Sequence, residues 1–335
     1  MSHRRKLFAV TAALLFLSVL SPRAHAGTLG TDVIGMFPKD VGEFAYADLR
    51  QARSLAWFPQ LKQQMLPPRF QQFEQFLMAA GINPDAEVEE LAWGLVPGGL
   101  PSGAAASTAV PTSEEIVGVA LGSFRPETAE AFFKAQKLPV VKVRDFSLYP
   151  FGGAAGSDLF FVFIDANTAA FGQRAQLEKM IAVRYGEQQS VYSNSELSQL
   201  VGSANGSGIV WSVMSAAYTR LAMQQLAPEM GQFPQAQQLV AKLHALSIVI
   251  TAGTTVEAHF DAVCATPDDA NTFAALLMAG LLYKRYQVGN ANPDLATMLD
   301  GMRIAPAGDR LELTLSLTND QVMGLIKHNT FAIRL

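Results

Sequence analysis

The stretch Thr255–Gln287 changes from alternating apolar and polar residues to apolar residues at helical spacing. Its first ten residues alternate with the two-residue period of a half-buried strand. Thr266 then provides a helix N-cap, and Pro267 suits the first helical position. Apolar side chains recur at helical spacing over Ala270–Tyr286. The pattern therefore predicts a strand, a sharp stop and a long helix.

The same order of patterns occurs earlier in the chain. Pro126–Phe132 and Pro267–Phe273 both read Pro, acid, Thr or Asp, Ala, two residues, Phe. That match alone is equally compatible with coincidence, but strand patterns flank both heptapeptides in the same order. They lie at Phe44–Leu49, Leu91–Val96, Val117–Leu121 and Asp158–Ile164, and at Ile209–Met214, Leu246–Thr251, Thr255–Cys264 and Asp309–Leu317. Together these patterns favour an internal duplication.

The predicted fold class is α+β, with two similar modules, each a mainly antiparallel sheet with helices packed on one face. We place the modules at 27–201 and 202–335 and take Gly202–Gly208 as the linker. Pro97–Thr112 is predicted to be a mobile loop within the first module, because its small residues bury too little surface to offset ordering entropy. The segment before the first strand, Gly27–Asp40, is expected to be extended. Helical segments are expected at Trp57–Ala80 (broken at Pro67-Pro68), Tyr218–Leu226 and Gln235–Ala245. A capping box is expected from Thr318 to Gln321.

Residues 1–26 have the pattern of a secretory signal peptide. Basic residues at Arg4–Lys6 precede the apolar run Leu7–Leu20, and Ala24–Ala26 fits a small-x-small cleavage site. The alternatives are a membrane anchor or a buried helix, but the run is shorter than the ~20 residues that a spanning helix needs. We therefore expect cleavage after Ala26, a periplasmic or secreted protein, and no stable membrane anchor after cleavage.

Charge and cysteine content limit the classes of partner and the kinds of reaction that the chain can support. Removing the four basic residues of the signal from 25 leaves 21, against 29 acidic residues, a formal charge of −8. Such a balance argues against nucleic acid as a partner. Cys264 is the only cysteine, so no internal disulfide can form, and its place on the apolar face of a strand favours burial over a reactive thiol.

No stretch carries a chemical signature. His244, His259 and His328 are not spaced as zinc ligands, and no HExxH, CxxC, Gly-x-Ser-x-Gly or phosphate-binding loop is present. Ser193 and Ser195 read more simply as part of a helix cap than as nucleophiles. We therefore predict no catalytic, metal or cofactor-binding residue and no cofactor, and favour a non-enzymatic protein.

One feature indicates binding. The helix Ala270–Tyr286 is apolar nearly all round, so it should be buried on most sides. The simpler interpretation is packing between its own sheet and the other module. The functional interpretation is a surface for an apolar ligand or a partner helix, formed by Phe273, Leu277, Met278 and Leu281.

The signal peptide, the Tyr-x-Asp-Leu element at Tyr46–Leu49, the Pro-acid-x-Ala helix starts and the final strand followed by a short helix form a combined pattern. It resembles exported bacterial proteins of unknown function built from duplicated α+β modules. The resemblance implies fold and compartment and no site residue. Three hypotheses follow: a non-enzymatic exported binding or scaffold protein that presents a surface to a protein partner, a periplasmic carrier or sensor of a lipid or other apolar ligand, and a hydrolase whose site assembles only in space.

Overall fold

A computed structural model describes residues 27–66, 68–98, 113–153, 157–226, 238–289 and 292–330. The predicted signal peptide lies outside these residues, and so does 99–112, the greater part of the predicted mobile loop. The first two residues of that predicted loop, Pro97 and Gly98, belong to a strand.

Strands and helices alternate irregularly along the described chain. The strands are β1 Glu43–Asp48, β2 Val88–Gly98, β3 Ser113–Gly122, β4 Val141–Val143, β5 Phe146–Pro150, β6 Leu159–Phe163, β7 Thr168–Gln173, β8 Val210–Ser215, β9 Leu243–Ala252, β10 Thr255–Cys264, β11 Arg303–Ala307 and β12 Arg310–Thr318. The α-helices are α1 Thr31–Ile34, α2 Leu49–Ala52, α3 Phe58–Met65, α4 Pro68–Ala79, α5 Pro84–Glu87, α6 Pro126–Ala135, α7 Arg174–Arg184, α8 Ser195–Ala204, α9 Ala216–Leu226, α10 Pro267–Val288, α11 Pro293–Gly301 and α12 Asn319–Lys327.

All the described strands join one antiparallel sheet of twelve strands, in the order β11-β12-β10-β9-β8-β1-β2-β3-β7-β6-β5-β4. The predicted α+β class with antiparallel strands is confirmed. Outwards from the β1–β8 pair, one side runs β1, β2, β3, β7, β6 and the other runs β8, β9, β10, β12, β11. On both sides three strands in chain order are followed by the second strand of a hairpin and then by its first strand. This common order is what duplication of one module would produce. The duplication and the module boundaries stay predictions, and the two halves share a continuous sheet.

Helices cover both faces of the first half of the sheet. In β6, Phe160 and Val162 pack in one core cluster with α7 and α8, whereas Leu159 and Phe161 pack in another with α4 and α6. Successive side chains of a strand point to opposite faces, so these two clusters lie on opposite sides of the sheet. A strand that is apolar throughout must be buried on both faces. The prediction that helices pack on one face of the sheet is therefore wrong for this half.

The outer strands of the second half have helices on one face, as predicted. Leu311 and Leu317 of β12 are buried, and the intervening polar positions Glu312 and Ser316 are exposed. The capping box at the start of α12 is confirmed: the Thr318 hydroxyl accepts from the Gln321 amide and the Gln321 side chain accepts from the Thr318 amide, at 3.2 and 2.8 Å.

One local prediction is wrong and another holds only in part. The lead-in 27–40 contains the short helix α1. The segment Gln235–Ala245, predicted as a helix, is helical at 238–240 but enters β9 at Leu243, and 235–237 lie outside the described ranges. Pairing of β9 with both β8 and β10 decides its conformation, because tertiary contacts override local helical preference.

Candidate functional site

The first turn of α10 is fixed by a cap that the sequence predicts. The Thr266 hydroxyl accepts from the Asp269 amide at 3.2 Å and donates to the Asp269 carboxylate at 2.7 Å. Lys242 forms an ion pair with the same carboxylate, and these two partners, Lys242 first, lower the pKa of Asp269. The carboxylate therefore stays charged beside the positive end of the helix, where a negative charge is stabilising.

Thr266→Ala is expected to lower the free energy of unfolding by about 1–2 kcal/mol, because the cap loses its acceptor for the Asp269 amide. Urea unfolding measures the loss. Thr297→Ala is the matched control: its hydroxyl donates to the Pro293 carbonyl within α11 and caps no helix start. Equal effects of the two substitutions would show that the cap contributes nothing particular.

One face of α10 anchors the helix to the second half of the sheet. Ala270, Phe273 and Ala274 are buried, with exposed fractions of 0, 1 and 2%. The helix contacts β10, β11, β12 and α11, and near its end the Arg285 Nε–H is shared between the two carboxylate oxygens of Asp300 of α11, at 2.9 and 3.0 Å. These contacts hold the helix firmly enough to fix which side chains point away from the protein.

The opposite face of α10 is apolar and exposed. Five large side chains protrude from it: Leu276 (45% exposed), Met278 (42%), Leu282 (70%), Tyr283 (65%) and Tyr286 (85%). Ala275 and Ala279 lie between them and are also exposed. We call these seven residues the outer face of α10. The expectation that this helix is buried on most sides is wrong, because within the described residues only its inner side finds cover.

The four residues predicted as a binding surface divide between the two faces. Phe273 lies in the core, Leu277 and Leu281 are half-buried at the anchored side, and Met278 belongs to the outer face. The sequence prediction chose the apolar stripe that the sheet covers. The signal for the outer face is the second apolar stripe formed by Ala275, Ala279, Leu282 and Tyr286, spaced by four, three and four residues.

Two open depressions lie in the described surface, away from α10. One open depression of about 590 Å³ is lined by Gln60, Gln63, Gln64, Ile326, Lys327 and Asn329, and one of about 390 Å³ by Pro38, Lys39, Asp40, Gln188 and Gln189. Sites for apolar ligands are concave and mostly apolar. Both depressions are open and lined mainly by polar or charged residues, although the surface accessible in the second is mostly apolar, and neither includes a residue of α10.

The described residues contain no group of three or more His, Cys, Asp or Glu side chains placed to hold a metal ion. Within the same ranges, none of the helices combines the length and the apolar composition that crossing a bilayer requires. Cys264 is buried and unpaired by disulfide, as its place on the strand predicts, and burial raises the pKa of its thiol to about 11.

An acidic cluster lies beside the junction of the two halves. The Glu43 carboxylate accepts a 2.8 Å hydrogen bond from Ser212 across the β1–β8 pair. Burial raises the pKa of Glu43, the Ser212 bond opposes that shift, and the charge of Glu114 adds to it. Burial also raises the pKa of Tyr218, and the charges of Glu114 and Glu43 contribute to that shift. The Tyr218 hydroxyl is enclosed and has no hydrogen-bond partner within the part of the chain that the structure describes.

This cluster makes stability depend on pH. A carboxyl whose pKa is raised by folding binds its proton more tightly in the folded state, so its contribution is complete below the ordinary value near 4.5 and is lost as pH rises through the folded pKa. Glu43→Gln keeps an acceptor for Ser212 and removes the charge. We expect its melting temperature to exceed that of the wild type by a margin that grows from pH 4.5 towards neutrality. A constant margin, or one matched by the exposed Glu130→Gln, would contradict this assignment.

Comparison with known proteins gives little beyond these observations. No family model matches the chain, and no curated protein sequence matches it. Among solved structures, form I of TP0453 is 11% identical, covers 90% of this chain and 99% of that chain, and has a TM-score of 0.45. Form III is 10% identical, covers 89% of this chain and 99% of that chain, and has a TM-score of 0.46. Form IV is 11% identical, covers 89% of this chain and 97% of that chain, and has a TM-score of 0.47. At these values the similarity transfers no residue role to this chain.

Proposed function

We propose that this chain is a non-enzymatic, exported binding protein that presents the outer face of α10 to a protein partner. The observation that carries the proposal is the row of five large apolar side chains, 42–85% exposed, on a helix whose other face is anchored. Contiguous apolar patches on soluble proteins commonly mark interaction sites. Export is supported by the predicted signal peptide alone.

The composition of the outer face suits a protein better than a small apolar ligand. Tyr283 and Tyr286 each combine a large apolar ring with a hydroxyl, and tyrosine is enriched where proteins bind one another. Spacing by four, three and four residues is that of a seam between packed helices, so the partner would contribute a helix. A carrier would need a concave apolar pocket, whereas this face is convex and open.

Site-specific photo-crosslinking in cells that make the protein tests the proposal. A photoreactive phenylalanine analogue at Tyr283 is expected to give one discrete adduct, which Leu282→Glu abolishes. Tyr192, 46% exposed and distant in the chain, is the matched control position and should give none. Adducts of equal yield at both positions, or none at Tyr283, would contradict the proposal. Co-purified lipid in native mass spectrometry would instead favour the carrier.

A further inference from the structure

We propose that the partner is a second copy of this chain, and that the two α10 helices pack antiparallel across a twofold axis beside Ala279. This inference rests on the proposed function and names the occupant of the outer face. Three properties of the face support it: the distribution of large and small side chains along the helix, its lack of charge, and its area.

Large and small residues are segregated along the outer side of α10. Asn271, Thr272 and Ala275 occupy the N-terminal part, and Leu282, Tyr283 and Tyr286 occupy the C-terminal part. The two polar side chains are turned onto their own helix: the Asn271 amide donates to the Pro267 carbonyl at 2.9 Å, and the Thr272 hydroxyl donates to the Asp268 carbonyl at 2.8 Å. Along the stripe formed by Ala275, Ala279, Leu282 and Tyr286, the N-terminal part is therefore shallow and the C-terminal part raised, and the large side chains of Leu276 and Met278 lie on either side of that stripe.

An antiparallel copy places two of the raised residues, Leu282 and Tyr286, against shallow ones. With the axis between Met278 and Ala279, Leu282 lies opposite Ala275 and Tyr286 lies opposite Asn271 of the other copy. Alanine at 275 and 279 lets the helix axes approach to roughly 8 Å, the lower end of helix packing distances. Parallel packing would instead set Tyr286 against Tyr286 and leave a gap at Ala275, so the antiparallel arrangement fills space better.

Charge does not oppose self-association. No residue of the outer face is ionisable at neutral pH, so a second copy meets no like charge along the seam. An antiparallel pair also sets the two helix dipoles in opposite directions, which favours this orientation over a parallel one.

The area is sufficient for a weak, specific dimer. The exposed parts of the five large side chains amount to on the order of 600 Å² per copy, taking about 200 Å² for each full side chain. Two copies would then bury roughly 1,200 Å², the lower end of the range for specific interfaces. At this size we expect a weak, reversible dimer.

Disulfide trapping in the purified full-length mature protein tests the arrangement. Ala279→Cys lies beside the axis and is expected to form a covalent dimer under mild oxidation. Ala275→Cys is the same substitution on the same seam, but the two copies of position 275 lie roughly 10 Å apart along the interface. Because the Cα atoms of a disulfide lie within about 7 Å of each other, this variant should stay monomeric. The native Cys264 is buried and does not compete.

Each outcome decides the proposal. Rapid crosslinking of Ala279→Cys alone, lost when Leu282→Glu is added, supports the antiparallel dimer. Equal crosslinking at both positions indicates a parallel or random encounter and overturns it. A wild-type chain that sediments as a monomer at about 100 μM, with no crosslink at 279, also overturns it. An adduct of different mass at Tyr283 would then leave the proposed function standing with another partner, whereas no adduct would remove both.

Discussion

Trp211→Ala is expected to lower the free energy of unfolding by about 3–5 kcal/mol. Trp211 is completely buried, and its ring lies against Phe44 at 5.7 Å and Tyr46 at 5.6 Å, across the β1–β8 pair. Alanine would leave a cavity that the neighbouring strands cannot close, since they are paired on both sides. Among the described residues the indole nitrogen has no hydrogen-bond partner, so the loss is one of packing and burial.

Urea unfolding followed by circular dichroism measures this loss. The control is Met78→Ala, which truncates a side chain 60% exposed on α4 and should change the free energy of unfolding by less than about 0.5 kcal/mol. We expect one transition for the whole chain, because the β1–β8 pair joins both halves in one sheet. Two separate transitions in the wild type, or a loss below about 1 kcal/mol in Trp211→Ala, would show that this junction does not couple the halves.

Phe273→Ala is expected to have a similar effect, about 3–5 kcal/mol, and to abolish binding at the outer face of α10 as well. Phe273 is 1% exposed and packs in the core cluster of the second half with Ala270 and Leu311. Its loss removes the main anchor of the helix, so the outer side chains would no longer hold one orientation.

Leu282→Ala on the same helix separates the two roles. Leu282 is 70% exposed, so its truncation should change the free energy of unfolding by less than about 0.5 kcal/mol while weakening association at least tenfold. Urea unfolding and sedimentation of both variants make the comparison. If Leu282→Ala were the more destabilising variant, or if Phe273→Ala bound normally, the assignment of the inner and outer faces would be wrong.

The elements that the sequence predicts well are those whose own residues decide them. The cap at Thr266, the capping box at Thr318 and the alternation along β12 depend on neighbours within a few positions, and each is present. Strands β4, β7 and β11 went unpredicted because their patterns are short or interrupted, as by Pro306 at the edge strand β11. Their conformation comes from pairing with distant strands.

The continuity of the sheet and the exposure of α10 depend on long-range placement. Nothing near β1 or β8 specifies that they pair, and the register joining Glu43 to Met214 appears only in three dimensions. The composition of α10 predicts a helix that needs cover on every side, but it does not say whether this chain supplies the cover. The sequence therefore singled out α10 and placed the predicted binding surface largely on its anchored face.

Tyrosine acetylation followed by mass spectrometry tests the central claim most directly, because it reports whether the outer face of α10 is covered in the assembled protein. At about 100 μM, Tyr283 and Tyr286 should react much more slowly than in a dilute sample, while Tyr185, 45% exposed elsewhere, should react equally in both. Leu282→Glu should restore fast reaction at high concentration. Unchanged reactivity of Tyr283 and Tyr286, in concentrated protein and in extracts of the cells that make it, would contradict the account.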